Sequence, residues 1–342
     1  MNREIIDMHI HFGAPKDEVY GCFWSDDFKK SVAYFAMLLM TKSLFKKVNI
    51  HGLEKNLLAV INGSLYVQRA VLLALDLVFD ETGKPHPEKT HLYVSNQYLA
   101  ELARKHERVL WGASVHPYRP DWREALDFCL ANGAVLCKMI PSSQLINPDN
   151  PDFNAFYQKL ADHDFPLLCH TGSEYAIPTS NAEFNQYNNP KYLRRALEQG
   201  VTVIVAHCAL PYFWKFDSDY QDDFNDFLTL CDEAWENNWK LYADISAFGT
   251  PMRSPYIEKV KARVPPERLL FGSDYPVPLF SASYHKSPNF LMWLWFVIKM
   301  IFMRNPLDKN YRVLKAMQFD ERVFYNAADL FAKIKRESNQ NN

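Results

Sequence analysis

No GxGxxG loop, and no GxxxxGKS or GxxxxGKT loop, follows any apolar run in this 342-residue chain. Without such a turn to admit a pyrophosphate, dinucleotide or P-loop phosphate binding is not indicated. Cysteine pairing is missing too. Cys22, Cys129, Cys137, Cys169, Cys208 and Cys231 form no CxxC and no tight cluster, which favours reduced, buried thiols in a cytosolic protein. Long blocks of one charge are absent, and the net charge is only −2. Such a balance offers no footprint for nucleic acid or an acidic membrane surface. No apolar run reaches the roughly 20 residues that cross a bilayer. Met1-Asn2-Arg3 leads straight into an apolar strand, so we expect no signal peptide and a cytoplasmic location.

What the chain has is apolar and aromatic substance: 48% hydrophobic residues, with 24 Phe, 18 Tyr and 8 Trp. That fills a large core and leaves aromatic surface over. Eight apolar runs read as strands: 5–11, 69–75, 109–115, 134–140, 166–172, 201–207, 240–246 and 268–274. Helical stretches separate them, at about 91–106, 120–132, 152–163, 190–199, 219–237 and 255–264. Near-continuous apolar strands alternating with helices describe a parallel sheet covered on both faces. Eight such units close most naturally into a (β/α)8 barrel in one domain over 1–342. The alternative, an open doubly wound sheet, would want one of the glycine loops that are missing. A helical insertion at about 12–66 follows the first strand, and a helical region at about 288–337 ends the chain.

The polar residues inside these apolar strands carry the chemistry. His9 and His11 alternate on the first strand, so both project from one face and suit a single divalent ion. Lys138, His170, His207 and Asp274 stand at or near the C-terminal ends of strands four, five, six and eight. In a barrel that end holds the active site. Charged and imidazole groups in apolar strands are costly unless paired or metal-bound, and six at corresponding ends of five strands point to one site.

Asp-Met-His-Ile-His, His-Thr-Gly on strand five, Ala-His-Cys-Ala-Leu-Pro on strand six and Gly-Ser-Asp-Tyr-Pro on strand eight resemble the amidohydrolase superfamily. The similarity is greatest to its amidohydrolase-2 branch of hydrolases, lactonases and aromatic-acid decarboxylases. It extends from 4 to about 332, and Tyr325-Asn326-Ala327-Ala328-Asp329-Leu330-Phe331 resembles that family's closing helix. Cys-Ala-Leu-Pro replaces a common Gly-Gly-Pro, and the 12–66 insertion is unusual. The resemblance implies a divalent metal, zinc first with Mn, Fe or Co as alternatives, held by His9, His11, His170 and Asp274. A bound divalent ion lowers the pKa of its water towards about 7. Asp274 would serve as general base, and His207 would polarise a carbonyl or bind a second ion. Glu174, on the loop past His170, could hold a second ion or a polar substrate group. Lys138 would either hold a substrate anion beside His207 or, as a carbamate, bridge two ions; one ion is the favoured count.

Other residues admit two uses. Arg119, after His116-Pro117-Tyr118, could meet a substrate carboxylate or make a structural ion pair, and Asp76 stands similarly. Asp244, within strand seven, suits a structural hydrogen bond. His51, His86, His91, His106, His163 and His285 read as surface or capping residues. The apolar stretches 31–40 and 290–303 are expected to pack together as a cap, with any exposed face serving a homodimer or an apolar substrate. The expected activity is hydrolysis of a small amide, ester or lactone. Non-oxidative decarboxylation of an aromatic or unsaturated acid is the alternative, and a ligand-binding barrel with a relic site is the non-enzyme one.

Overall fold

The computed structural model describes residues 4–335 apart from positions 14, 42, 44–47, 175, 211–219, 278 and 280–289. The eight apolar runs become parallel strands: β1 (Ile6–His11), β2 (Arg69–Leu73), β3 (Val109–Gly112), β4 (Cys137–Met139), β5 (Leu167–Cys169), β6 (Val203–Val205), β7 (Leu241–Asp244) and β8 (Leu269–Leu270). They pair in chain order in two ladders, β1–β2–β3 and β4–β5–β6–β7–β8. Isolated parallel bridges join the ladders at both seams, Ala113 to Cys137 and Ile10 to Tyr275. At the second seam the Met8 N–H donates to the Phe271 carbonyl at 3.1 Å and the Asp274 N–H to the His9 carbonyl at 2.8 Å. The strands thus follow one another around a circuit, and the expected (β/α)8 barrel is the fold.

The strands are shorter than the apolar runs that announce them. The reason is local. At their C-terminal ends the chain leaves the ladder to aim polar side chains inward. His207, Cys208 and Ala209 all adopt positive φ, at 57°, 52° and 53°, and Asp274 does so at 62°. Non-glycine residues in that region are strained and need support from their surroundings.

Within the ring, Ile6, Met8, Leu73, Leu136, Leu168 and Ile204 cluster with Leu330 and Phe331 of the helix Asn326–Phe331. A bulge in β1 sets Met8 and His9 together against Val71, between the pairs Asp7–Ala70 and Ile10–Leu72. Met8 can therefore join the apolar cluster while its neighbour His9 turns to the site, a common use of a bulge. Gly272, just past β8, makes room for this: a Cβ there would lie 2.8 Å from the Cβ of His9.

The insertion supplies helices Val32–Met40 and Ile50–Asn62, capped by Ser31 and Asn49. Both apolar stretches are tied to the second of these helices. Its Asn56 donates to the Thr41 carbonyl at 2.8 Å, and Asn305 donates to its Val60 carbonyl at 2.7 Å. The helix Pro306–Ala316 adds Asp308, which accepts from Ser64 Oγ at 2.5 Å and from the Leu65 and Tyr66 N–H groups. Two details depart from expectation. Phe23–Trp24 pairs antiparallel with Leu92–Tyr93, and His91 is buried, its Nδ1 2.9 Å from Ser25 Oγ. His51, His86, His106 and His163 are at least partly exposed, and His285 lies outside the described residues. All six cysteines are buried and free.

The β1–β8 seam contains an unusual carboxyl group. Asp7 is fully buried; its Oδ1 accepts from the N–H groups of Ser273 at 2.8 Å and His9 at 3.3 Å, and Oδ2 has no hydrogen-bond partner. Burial pushes its pKa up from 3.8 to about 7. The folded state thus holds a proton that the unfolded chain has released across that interval. Asp7's contribution to stability is complete below pH 3.8 and is lost as the pH rises through 7. Asp7→Asn cannot ionise, so its stability relative to wild type should rise by at least about 1 kcal/mol between acidic and mildly alkaline buffer. Urea unfolding of chelator-treated protein measures this. A difference that stays constant with pH would mean that Asp7 is already ionised in the fold.

Candidate functional site

Asp244, at the end of β7, is wholly buried. Its Oδ2 lies 2.8 Å from His9 Nδ1. Its Oδ1 accepts from the His207 and Ser246 N–H groups, both at 3.0 Å, and from the Ser246 hydroxyl. Burial pulls this carboxyl upward, but the neighbouring His9 and His207 rings hold it well below the usual carboxylate range. An ionised carboxylate only accepts. His9 therefore keeps its proton on Nδ1 and presents a lone pair at Nε2. The same accounting reaches His207. The Ser246 hydroxyl spends its proton on Asp244, so Oγ accepts from His207 Nδ1, 2.7 Å away, and His207 Nε2 also presents a lone pair. Burial keeps both rings neutral, with the Lys138 charge helping at His9 and the Arg253 charge at His207.

Three atoms able to ligate a cation now meet. His9 Nε2 is 3.2 Å from His11 Nε2, and Asp274 Oδ1 lies 3.1 Å from His11 Nε2 and 3.7 Å from His9 Nε2. Imidazole nitrogens sharing one tetrahedral ion at about 2.0–2.1 Å would be about 3.3 Å apart. The donor set fits a divalent cation in spacing and in chemistry. His9, His207 and Asp244 also come within ligand range of one another, but both Asp244 oxygens are committed to donors, which leaves His9, His11 and Asp274 as the group that could hold a cation. Asp274 is held below the ordinary carboxylate range: burial opposes ionisation, and the neighbouring His207 and the hydrogen bond from His11 outweigh it. Its second oxygen, Oδ2, lies 3.8 Å from His207 Nε2.

His170 stands beside this group. Its ring centroid is 5.4 Å from that of His207. Its Nε2 lies 3.3 Å from Glu174 Oε2 without hydrogen-bond alignment, and burial lowers its pKa to about 4. Among the described residues it is not gathered with the other three expected ligands. The Glu174 side chain is covered, its Oε1 accepting from the Ala176 and Ile177 N–H groups. Lys138 is 2% exposed, and its Nζ has no hydrogen-bond partner. Burial drives its pKa down while the charges of Asp244, Asp274 and Glu174 pull it up.

Arg119 does not join the site. Its guanidinium lies 3.1 Å from Asp76 and 2.9 Å from Asp121, the structural ion pair of the two uses considered above. Asp121 therefore makes no side-chain cap for the helix Trp122–Ala131. Ser246 and Arg253 escaped the sequence reading. Asp244-Ile245-Ser246 does carry the same i, i+2 spacing as His9 and His11. Arg253, buried with its guanidinium 3.3 Å from the Ser246 carbonyl, gives no such signal.

Known proteins agree with this geometry at the level of fold and family. An uncharacterized TIM-barrel protein from Bordetella bronchiseptica superposes with a TM-score of 0.55 at 15% identity, covering 95% of this chain and 99% of its own. The 5-carboxyvanillate decarboxylase of Sphingomonas paucimobilis gives 0.53 at 11% identity, covering 97% and 99%. A putative amidohydrolase from Staphylococcus aureus gives 0.51 at 13% identity, covering 96% and 99%. No curated protein matches. The amidohydrolase family model, Amidohydro_2, matches residues 6–292. That span takes in the whole circuit from β1 to β8 and each of His9, His11, Lys138, His170, His207 and Asp274, and the chain belongs to the amidohydrolase family.

Proposed function

We propose that this protein is a metal-dependent hydrolase that directs water onto the carbonyl carbon of a small amide, ester or lactone. One observation carries the reading. Asp274 divides its carboxylate, with Oδ1 among the His9 and His11 nitrogens and Oδ2 facing His207 Nε2. A group so placed belongs to the cation site and remains open to a proton on the other side. His9, His11 and Asp274 would hold one divalent ion, zinc by the chemistry of the donors; bound there, it acidifies a water and polarises a carbonyl oxygen.

The chain's own residues then have distinct tasks. As water adds its hydroxyl to the carbonyl carbon, its proton goes to the lone pairs facing each other on Asp274 Oδ2 and His207 Nε2. That shared proton then passes to the departing nitrogen or oxygen as the carbon–heteroatom bond breaks. His207 is an acceptor first and a donor afterwards, because Ser246 and Asp244 hold its other nitrogen. Lys138 Nζ, unpaired and buried, would bind a substrate anion. His170 and Glu174 line the same side.

Lys138 also supports a second reading. A buried cation beside the cation site could grip a carboxylate that is to be lost as carbon dioxide, with the Asp274–His207 pair returning a proton to carbon. Incubation with amide, ester, lactone and aromatic carboxylate panels in 18O-water separates the two. Hydrolysis incorporates the label in the product acid. Carbon dioxide release without incorporation would overturn the hydrolase reading.

Elemental analysis should find one divalent ion per chain, and His11→Ala should remove most of it while the fold survives. Asp244→Asn should weaken metal affinity by about 10–100-fold, because it loosens the His9 ring without removing a ligand. Full affinity in Asp244→Asn would contradict the wiring described above. Lys138→Met should be no less stable to heat than wild type, since it deletes a buried unpaired amine, while kcat/KM falls at least about tenfold. Unchanged kcat/KM would make Lys138 a bystander.

A further inference from the structure

The helix Phe290–Phe302 is apolar at every position but Lys299. Phe296 and Met300 turn inward, and Leu291, Trp295, Ile298 and Phe302 form a stripe on the opposite side, each exposing between 44% and 78% of its surface. Those four positions recur at the spacing of one helical face. A single exposed leucine is ordinary, but a stripe of this length is not. Helix Val32–Met40 adds Phe35 and Leu39, one turn apart and 56% and 55% exposed. Thr41, which ends helix Val32–Met40, and Asn305, three residues past helix Phe290–Phe302, hydrogen-bond to Asn56 and Val60 of helix Ile50–Asn62, one turn apart.

Charge narrows what can cover this face. Lys299 flanks the stripe, its Nζ 5.1 Å from the ring centre of Trp295. Exposed Arg304 follows, and positions 290–307 contain no Asp or Glu. The next acid, Asp308, faces inward onto Ser64, Leu65 and Tyr66. Packed on a second copy, each Lys299 would lose water against apolar surface with no acid from this segment to receive it. On a bilayer it keeps both partners: its stem lies along the apolar stripe and its ammonium reaches lipid phosphates. Trp295 suits the same boundary. At about 20 Å long the helix falls short of the roughly 30 Å of a hydrocarbon core, and no described helix is long and apolar enough to cross a membrane.

We infer that this face docks the protein onto the surface of an anionic phospholipid bilayer, with helix Phe290–Phe302 lying along the interface. The chain's small overall negative charge conceals this, because it averages a segment that carries Lys299 and Arg304 and no acid over positions 290–307 with the rest of the surface.

Flotation of the full-length protein with phosphatidylcholine vesicles, with and without phosphatidylserine, tests the inference. Wild type should float with the anionic vesicles at least about fivefold better than with the neutral ones, and its tryptophan emission should shift to the blue on binding. Ile298→Glu combined with Phe302→Glu should abolish flotation while metal content and turnover stay at wild-type levels. Lys299→Glu should erase the preference for phosphatidylserine. Protein that remains in the aqueous layer with both vesicles overturns the inference, and so does equal binding to both. A vesicle-indifferent dimer that the double variant converts to monomer would assign the face to a second copy instead.

Discussion

Four donors converge on the carboxylate of Asp244 in a place water does not reach: His9 Nδ1, the Ser246 hydroxyl and the N–H groups of His207 and Ser246. The candidate site depends on how those protons are allotted. Because the carboxylate can only accept, His9 and His207 must both show lone pairs to Asp274, and three acceptors brought together call for a cation or a proton between them. The same bonds hold His207 in a left-handed backbone conformation that it would not choose alone. Orientation, protonation and strain at the site thus trace to one buried group that need not touch substrate.

The fold, and most of the residues gathered in the candidate site, were legible in the sequence because both announce themselves by residue type. Apolar runs alternating with helices allow few architectures, and imidazole or carboxylate groups at the ends of such runs are too costly to be idle. What escaped was geometry that residue type does not encode. The bulge at Met8 and His9 depends on pairing register with β2. The tautomers depend on Ser246, whose hydroxyl looks like any other in a sequence. His170, expected among the ligands by resemblance, has its ring beside His207 and Glu174, a placement that strand order alone does not give. Arg119 took the second of the two uses that the sequence left open, and only the fold names its partners, Asp76 and Asp121.

The interior also holds groups that stability alone would not select. Lys138 Nζ, His170 Nε2 and Asp7 Oδ2 are buried without hydrogen-bond partners. Each such atom costs about 1–3 kcal/mol where nothing pairs with it. Large apolar packing around the ring tolerates that expense, and the anion and cation binding proposed above would be a sufficient reason for it at Lys138 and His170.

The seam between β1 and β8 joins residues as far apart as Asp7 and Ser273, 266 positions along the chain. His9 and His11 leave the ribosome early, and Asp274 arrives only when the last strand does. During synthesis the two histidines therefore wait, unable to complete a cation site until the ring has closed around its apolar filling. Any ion bridging them to Asp274 then acts as a clasp across the closing seam, offsetting part of the loop-closure entropy of a very long intervening chain. Metal occupancy in this barrel would report that the circle has been completed.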